Sequence, residues 1–155
     1  MMRITATKNL PLLIHRGEQA IDQVASEVRA RFATSDKHQI YSDKRNEAER
    51  FLDAIGSGDE PDAAQYPYLS AETGVSAATM LDLAYIWLSM DAAWKGVAAL
   101  IEKITIDAKI RIRQGRNEAE IARISAQAVA VLDAIGTKPP RPPKGNPFLP
   151  PAIPR

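Results

Sequence analysis

Side chains that could carry chemistry are few in this sequence and lie far apart. The 155 residues include no cysteine and only two histidines, His15 and His38. The absence of cysteine excludes disulfides, thiolate metal ligands and cysteine nucleophiles. The two histidines lie in different segments, whereas metal sites and active sites need several convergent polar groups. The sequence therefore predicts no metal site, no cofactor and no catalytic residues, and we expect the protein not to be an enzyme.

Acidic side chains form one local cluster, within residues 59–62, which contain three carboxylates. A calcium loop needs oxygen ligands at regular spacing, which this segment lacks, so we expect a solvated acidic loop. Two further carboxylate pairs could be read as acid and base, Asp43 with Glu47 and Glu118 with Glu120. Lysine or arginine lies near both pairs, and surface ion pairing is the better interpretation.

The C-terminal end has the most unusual composition. Eight of the 11 prolines fall between residues 139 and 154, interleaved with basic and apolar side chains. Proline disfavours helix and sheet and favours polyproline II, which docks into partner grooves. A merely solvated tail is the alternative, but Phe148 and Leu149 favour a docking arm over residues 137–155. The candidate partner-binding residues are Pro139, Pro140, Arg141, Pro142, Pro143, Lys144, Phe148, Leu149 and Ile153.

Charge separates this arm from the rest of the chain. The formal net charge is +1, and the arm carries four basic residues and no acid, which leaves −3 on the remainder. Nucleic-acid-binding faces are built from clustered lysine and arginine, so an acidic body argues against nucleic acid as a partner. Basic residues between Lys103 and Arg116 are better assigned to the end of a helix dipole and a solvated face. No apolar stretch reaches the roughly 20 residues of a membrane helix, and no signal-peptide core follows Met1.

Apolar residues recur at spacings of three and four through most of the chain, and no long strand-like alternation occurs. The predicted fold class is therefore all-α. The predicted helices cover about residues 18–33, 36–55, a short turn begun by Pro67, 77–113 with Ser76 as N-cap, and 118–136 with Asn117 as N-cap.

We accordingly predict a helical domain over residues 15–136, between the arm and an extended N-terminal segment over residues 1–14. Pro11 disfavours helical geometry at Leu10, and the apolar residues 10–14 could pack on their own domain or on a neighbouring subunit.

The long helix predicted over residues 77–113 carries one apolar seam from Leu83 to Ile112, at the spacing of a coiled coil. We expect this helix to form an antiparallel hairpin with the last helix, although a dimeric or trimeric coil fits the seam as well. Trp87 and Trp94 lie seven residues apart on the seam. Packing in the helical core is the preferred interpretation of both, with an interface as the alternative.

The order of features in the middle of the chain resembles a family of small helical proteins found in the tail modules of tailed bacteriophages and prophages. The most specific matching piece is Tyr66-Pro67-Tyr68-Leu69-x-Ala71-Glu72-x-Gly74-x-Ser76. Further matches are Tyr41, Lys44, Glu47-Ala48, Phe51-Leu52, Trp87, Ile101-Glu102, Ala108 and Glu118-Ala119-Glu120-Ile121. The resemblance covers about residues 40–135, and the first helix and the arm are additions to it.

This resemblance implies a structural role in the virion, in the tail or baseplate or at the attachment of tail fibres, after assembly in the host cytoplasm. It implies other tail or baseplate proteins as partners, places Tyr66 and Leu69 against the hairpin, and supplies no catalytic residue. Tyr66, Tyr68, Trp87 and Trp94 are candidate interface or core residues. A departure lies at Ile104 and Thr105, where the pattern has an arginine. The alternatives are a tail-fibre assembly chaperone outside the virion and an adaptor that uses the proline-rich arm.

Overall fold

A computed structural model describes residues 9–32 and 35–137, and the all-α prediction is confirmed for this part of the chain. The helices are α1 (Leu10–Phe32), α2 (Ser35–Gly56), α3 (Pro67–Glu72), α4 (Met80–Arg113) and α5 (Glu118–Gly136), with a 3-10 turn at Ala63–Gln65. Over the same residues the only extended pairing is one isolated bridge between Thr73 and Ala77. The predicted arm lies outside the described residues.

The described helices belong to two compact units. The first contains α1, α5 and the part of α4 from Val97 onward, and the second contains α2, α3 and the part of α4 up to Gly96.

The first unit has an aliphatic core to which three helices contribute one stripe each. Its fully or nearly fully buried residues are Ile21, Ala25 and Val28 of α1, Ile101, Ala108 and Ile112 of α4, and Ile121, Ile124, Ala128 and Leu132 of α5. These positions recur at spacings of three, four and seven, which places each set on one helical face. Burial of these stripes is the main stabilising contribution in this unit.

Three ion pairs show the relative direction of α1 and α4 in the first unit. Glu18 pairs with Arg113, Asp22 with Lys109, and Arg29 with Glu102, each with an N···O distance of 2.6 Å. From one ion pair to the next, the residue number rises on α1 and falls on α4, so the two helices run antiparallel.

Two glycines show how α5 lies beside α1. A Cβ on Gly17 would lie 3.6 Å from Ile121, and a Cβ on Gly136 would lie 3.2 Å from Val28. The starts of the two helices therefore lie together, as do their ends. It follows that α5 runs parallel to α1 and opposite to this part of α4.

The prediction of an extended segment up to residue 14 is wrong for residues 10–14, because α1 begins at Leu10. Pro11 occupies the first helical turn, where a missing N–H costs no helical hydrogen bond. The N–H groups of Leu12 and Leu13 donate to the carbonyl of Asn9. Leu10, Leu13 and Ile14 pack against the core of the first unit, so this apolar segment lies on its own domain.

The start of α4 also differs from the prediction, because the helix begins at Met80 and Ser76 is not its N-cap. Thr79 takes that role: its hydroxyl accepts from the Asp82 N–H at 3.1 Å and donates to the Asp82 carboxylate at 2.8 Å. Ser76 instead continues the turn after α3, and its N–H donates to the carbonyl of Glu72. Gly74 supplies the positive φ of 84° that this turn requires.

Candidate functional site

The segment with the most specific resemblance forms the short helix α3 and packs into the core of the second unit. Pro67 occupies the first position of α3, as predicted, and Thr73 ends the helix. The Tyr66 ring packs edge-on against Phe51, with centroids 5.2 Å apart, and Leu69 is fully buried. The tyrosine-proline string therefore forms a helix of only six residues, which is held in place by the packing of Tyr66 and Leu69.

The side chains of Tyr66 and Leu69 pack against α2 and the first part of α4. The buried residues of this core are Ala48, Phe51, Tyr66, Leu69, Leu83 and Ala84. Of the two helices of the predicted hairpin, α4 contributes Leu83 and Ala84 to this cluster, and no residue of α5 belongs to the described cluster. The expected packing of Tyr66 and Leu69 against the hairpin is therefore confirmed for α4 only, and α2 supplies the other side of the core through Ala48 and Phe51.

Glu47 corrects the prediction of a surface ion pair. Its side chain is buried, and its Oε1 accepts a hydrogen bond from the Leu69 N–H at 2.7 Å. Leu69 is the third residue of α3, where a backbone N–H has no acceptor within the helix. The carboxylate of α2 therefore satisfies an amide of α3 inside the core. The available signal was spacing, because Glu47 lies four residues before the buried Phe51 on the same helical face.

Lys44 joins α2 to the two other helices of the second unit. Its Nζ pairs with Glu72 at the end of α3 and lies 5.0 Å from the centroid of the Trp87 ring on α4. The Arg50 guanidinium of α2 lies 5.9 Å from the Tyr66 ring centroid, but this residue is exposed. Partial burial makes a cation contact more favourable than an exposed one, so Lys44 contributes more than Arg50 to holding α3 in place.

The predicted seam of α4 is divided between the two cores. Leu83 and Trp87 pack in the second unit, and Ile101, Ala108 and Ile112 pack in the first. Met90, in the first half of the seam, is exposed. The seam therefore contributes to the cores of both units.

The remaining candidate aromatic residues are half buried. Trp87 packs against the second core, in agreement with the core interpretation, while Tyr68 and Trp94 lie at intermediate exposure.

The other candidate carboxylates satisfy backbone groups or lie on the surface. Asp62 accepts from the Ala64 N–H at the 3-10 turn, and Glu120 accepts from the Arg116 N–H before α5. Asp43 accepts from the Gln39 side chain one turn earlier on α2. Among the described residues, no group of three or more histidine, cysteine or acidic side chains could hold a metal ion.

The partner-binding residues predicted between Pro139 and Ile153 all lie outside the described residues. Within the helices that the structure describes, none is long and apolar enough to cross a lipid bilayer.

No protein-family model, curated protein or solved structure matches this chain. The resemblance to phage tail-module proteins therefore rests on the residues quoted above and on their spacing.

One exposed apolar surface of α4 was not predicted from the sequence. Three large aliphatic residues of α4 in the first unit are about half exposed: Leu100, Ile106 and Ile110. Their signal was present, because isoleucines occur here on two faces of one helix, whereas a helix packed on one side has a single apolar stripe.

Proposed function

We propose that this protein is a structural subunit of a bacteriophage tail, in the baseplate or at a tail-fibre attachment. The observation that carries the proposal is the use of the tyrosine-proline string in packing. The polar partners of this string, Glu47 and Lys44, bind α3 to its own core. The segment that carries the resemblance thus belongs to the packed core of the second unit, and this packing supports a structural role for it.

In this proposal the protein acts by contact and not by catalysis. The helical body, with its hairpin of α4 and α5, binds neighbouring tail proteins, and the proline-rich arm of residues 137–155 extends from it to a further subunit. Extended arms suit large assemblies because they cover much surface per residue and order on binding. The protein is assembled in the bacterial cytoplasm and resides in the virion.

Mass spectrometry of purified particles tests this proposal. A structural subunit is expected in the particles at a copy number that matches the symmetry of the tail, and deletion of its gene should remove it together with the subunits attached to it. If the protein is absent from particles whose assembly nevertheless fails without it, the proposal is wrong and an assembly chaperone replaces it.

A further inference from the structure

The outward face of α4 in the first unit carries an apolar ridge, which we define as Leu100, Ile106 and Ile110. These side chains are 45%, 50% and 48% exposed, although Ile101, Ala108 and Ile112 on the same helix are buried in the core. At 100° per residue, Ile106 and Ile110 lie opposite that buried face. Isolated exposed aliphatic residues are ordinary, but three on one helical face within three turns form a contiguous surface that typically binds a partner.

Charged residues interrupt the ridge in a defined order. Lys103 lies between Leu100 and Ile106, and Asp107 lies between Ile106 and Ile110. Asp107 has a long contact of 3.6 Å with Arg111, one turn further along the helix. The ridge face thus presents a cation, an anion and a second cation in sequence.

The flank of α4 beside Ile106 already faces α1, since Arg113 lies only about 20° around the helix from Ile106 at 100° per residue. Glu102, Lys109 and Arg113 pair with residues of α1. These charges are therefore committed within the first unit, whereas Lys103 and Asp107 belong to the exposed ridge face. A partner of the ridge would meet these two charges first.

The geometry points to a second copy of this chain as the partner, with the two α4 helices packed antiparallel about a two-fold axis that meets the ridge face at the level of Thr105, whose own side chain is buried in the first unit. In this register Lys103 of each copy lies opposite Asp107 of the other, and Leu100 lies opposite Ile110. Both charges then meet an opposite charge, and both ends of the ridge meet an aliphatic side chain. A parallel pair would instead place Lys103 against Lys103 and Arg111 against Arg111.

A two-fold contact of this kind is self-complementary, because each residue pair occurs twice. It uses none of the side chains that hold the core of the first unit, so the monomer fold does not depend on it. The inference is also independent of the proposed function, since either a virion subunit or a chaperone could be a dimer.

The association of the full-length protein tests the apolar part of the inference by analytical ultracentrifugation over a wide concentration range. The wild-type protein should form dimers, and Ile106→Ser should weaken dimerisation by about tenfold or more because the aliphatic side chain lies near the axis. Ile55→Ser is the matched control, since Ile55 is 39% exposed on α2 and lies outside the ridge. A monomeric wild type, a trimer, or equal effects of the two variants would overturn the inference.

Charge reversal tests the register. Lys103→Asp and Asp107→Lys should each weaken the homodimer by about tenfold, because each places like charges together twice. An equimolar mixture of the two variants should recover heterodimers, since every 103–107 contact across the axis is then between opposite charges. With one variant tagged, the heterodimer is measured by co-purification.

Recovery in the mixture distinguishes contact between copies from any effect within one helix. If mixing restores no dimer while both variants keep the wild-type circular dichroism spectrum and melting temperature, the antiparallel register is wrong.

Discussion

Glu47 connects α2 to α3 through a single hydrogen bond, and its burial determines what that bond contributes. The carboxylate is only 2% exposed, and its acceptor Oε1 meets the Leu69 N–H at 2.7 Å. A buried amide that loses its acceptor retains its full desolvation cost. The bond therefore stabilises the second unit mainly by preventing an unsatisfied donor at the start of α3.

We predict that Glu47→Ala lowers the free energy of unfolding by about 1–3 kcal/mol, because the Leu69 N–H is left without an acceptor. Glu47→Gln should cost less, since its amide oxygen can still accept the bond. Urea denaturation followed by circular dichroism measures both.

The matched control for Glu47 is Glu49→Ala on the same helix. The Glu49 side chain is 52% exposed and lies 3.7 Å from Arg45. The change should alter the free energy of unfolding by less than about 0.5 kcal/mol. Equal losses at positions 47 and 49 would contradict the role assigned to the buried carboxylate.

Residue types alone could not separate these two glutamates. The sequence shows Glu47 among several charged neighbours, and a carboxylate in such company is usually on the surface. What buries it is the return of the chain through Tyr66 and Pro67, a long-range event. By contrast, Phe51 follows the apolar spacing of α2, and its burial agrees with the sequence-based expectation.

At the scale of elements, the sequence predicted the start of a helix where a single residue type marks it, and did not predict it where two residues could serve equally. Pro67 and Asn117 begin their helices as expected, because each satisfies a requirement of the first helical turn. Ser76 and Thr79 are both acceptable caps by type. Only the tertiary placement of the turn after α3 selects Thr79, so the start of α4 could not be derived locally.

The connection between α4 and α5 depends on a glycine. A Cβ on Gly115 would lie 2.7 Å from Ile121 Cγ1 and 3.0 Å from the carbonyl oxygen of Ile112. We predict that Gly115→Ala lowers the free energy of unfolding by about 1–3 kcal/mol, because the added methyl group overpacks this turn. Thermal unfolding measured by circular dichroism tests the effect.

For Gly96→Ala we expect the opposite effect on stability from that of Gly115→Ala. Gly96 lies in α4, and a Cβ there would meet no atom within 4 Å. Alanine has the higher helix propensity, so this change should stabilise the protein by about 0.5–1 kcal/mol. Destabilisation by Gly96→Ala as large as that by Gly115→Ala would show that close packing is not what requires glycine at position 115.

At the scale of the whole molecule, charge is distributed more unevenly than the overall value suggests. Residues 34–96 carry 11 acidic and five basic side chains, a net charge of −6, whereas the arm over residues 137–155 carries +4. Opposite charges speed and orient association, and salt screens them. In the structural role proposed above, the basic arm of one subunit would meet an acidic surface on another.

We predict that deletion of residues 138–155 abolishes incorporation into particles while the helical circular dichroism of the body stays unchanged. The described core residues of both units all precede Thr137, so removal of the arm takes none of them away. Complementation of a gene deletion, followed by mass spectrometry of purified particles, measures incorporation.

Two full-length variants separate charge from apolar contact in the arm. Replacing its four basic residues by glutamine tests steering, and this variant should incorporate more slowly, with little further effect of added salt. Replacing Phe148 and Leu149 by serine tests docking, and incorporation should fail at any salt concentration if these side chains occupy a partner groove. Normal incorporation of the truncated protein would show that the arm is dispensable and that the helical body alone makes the contacts.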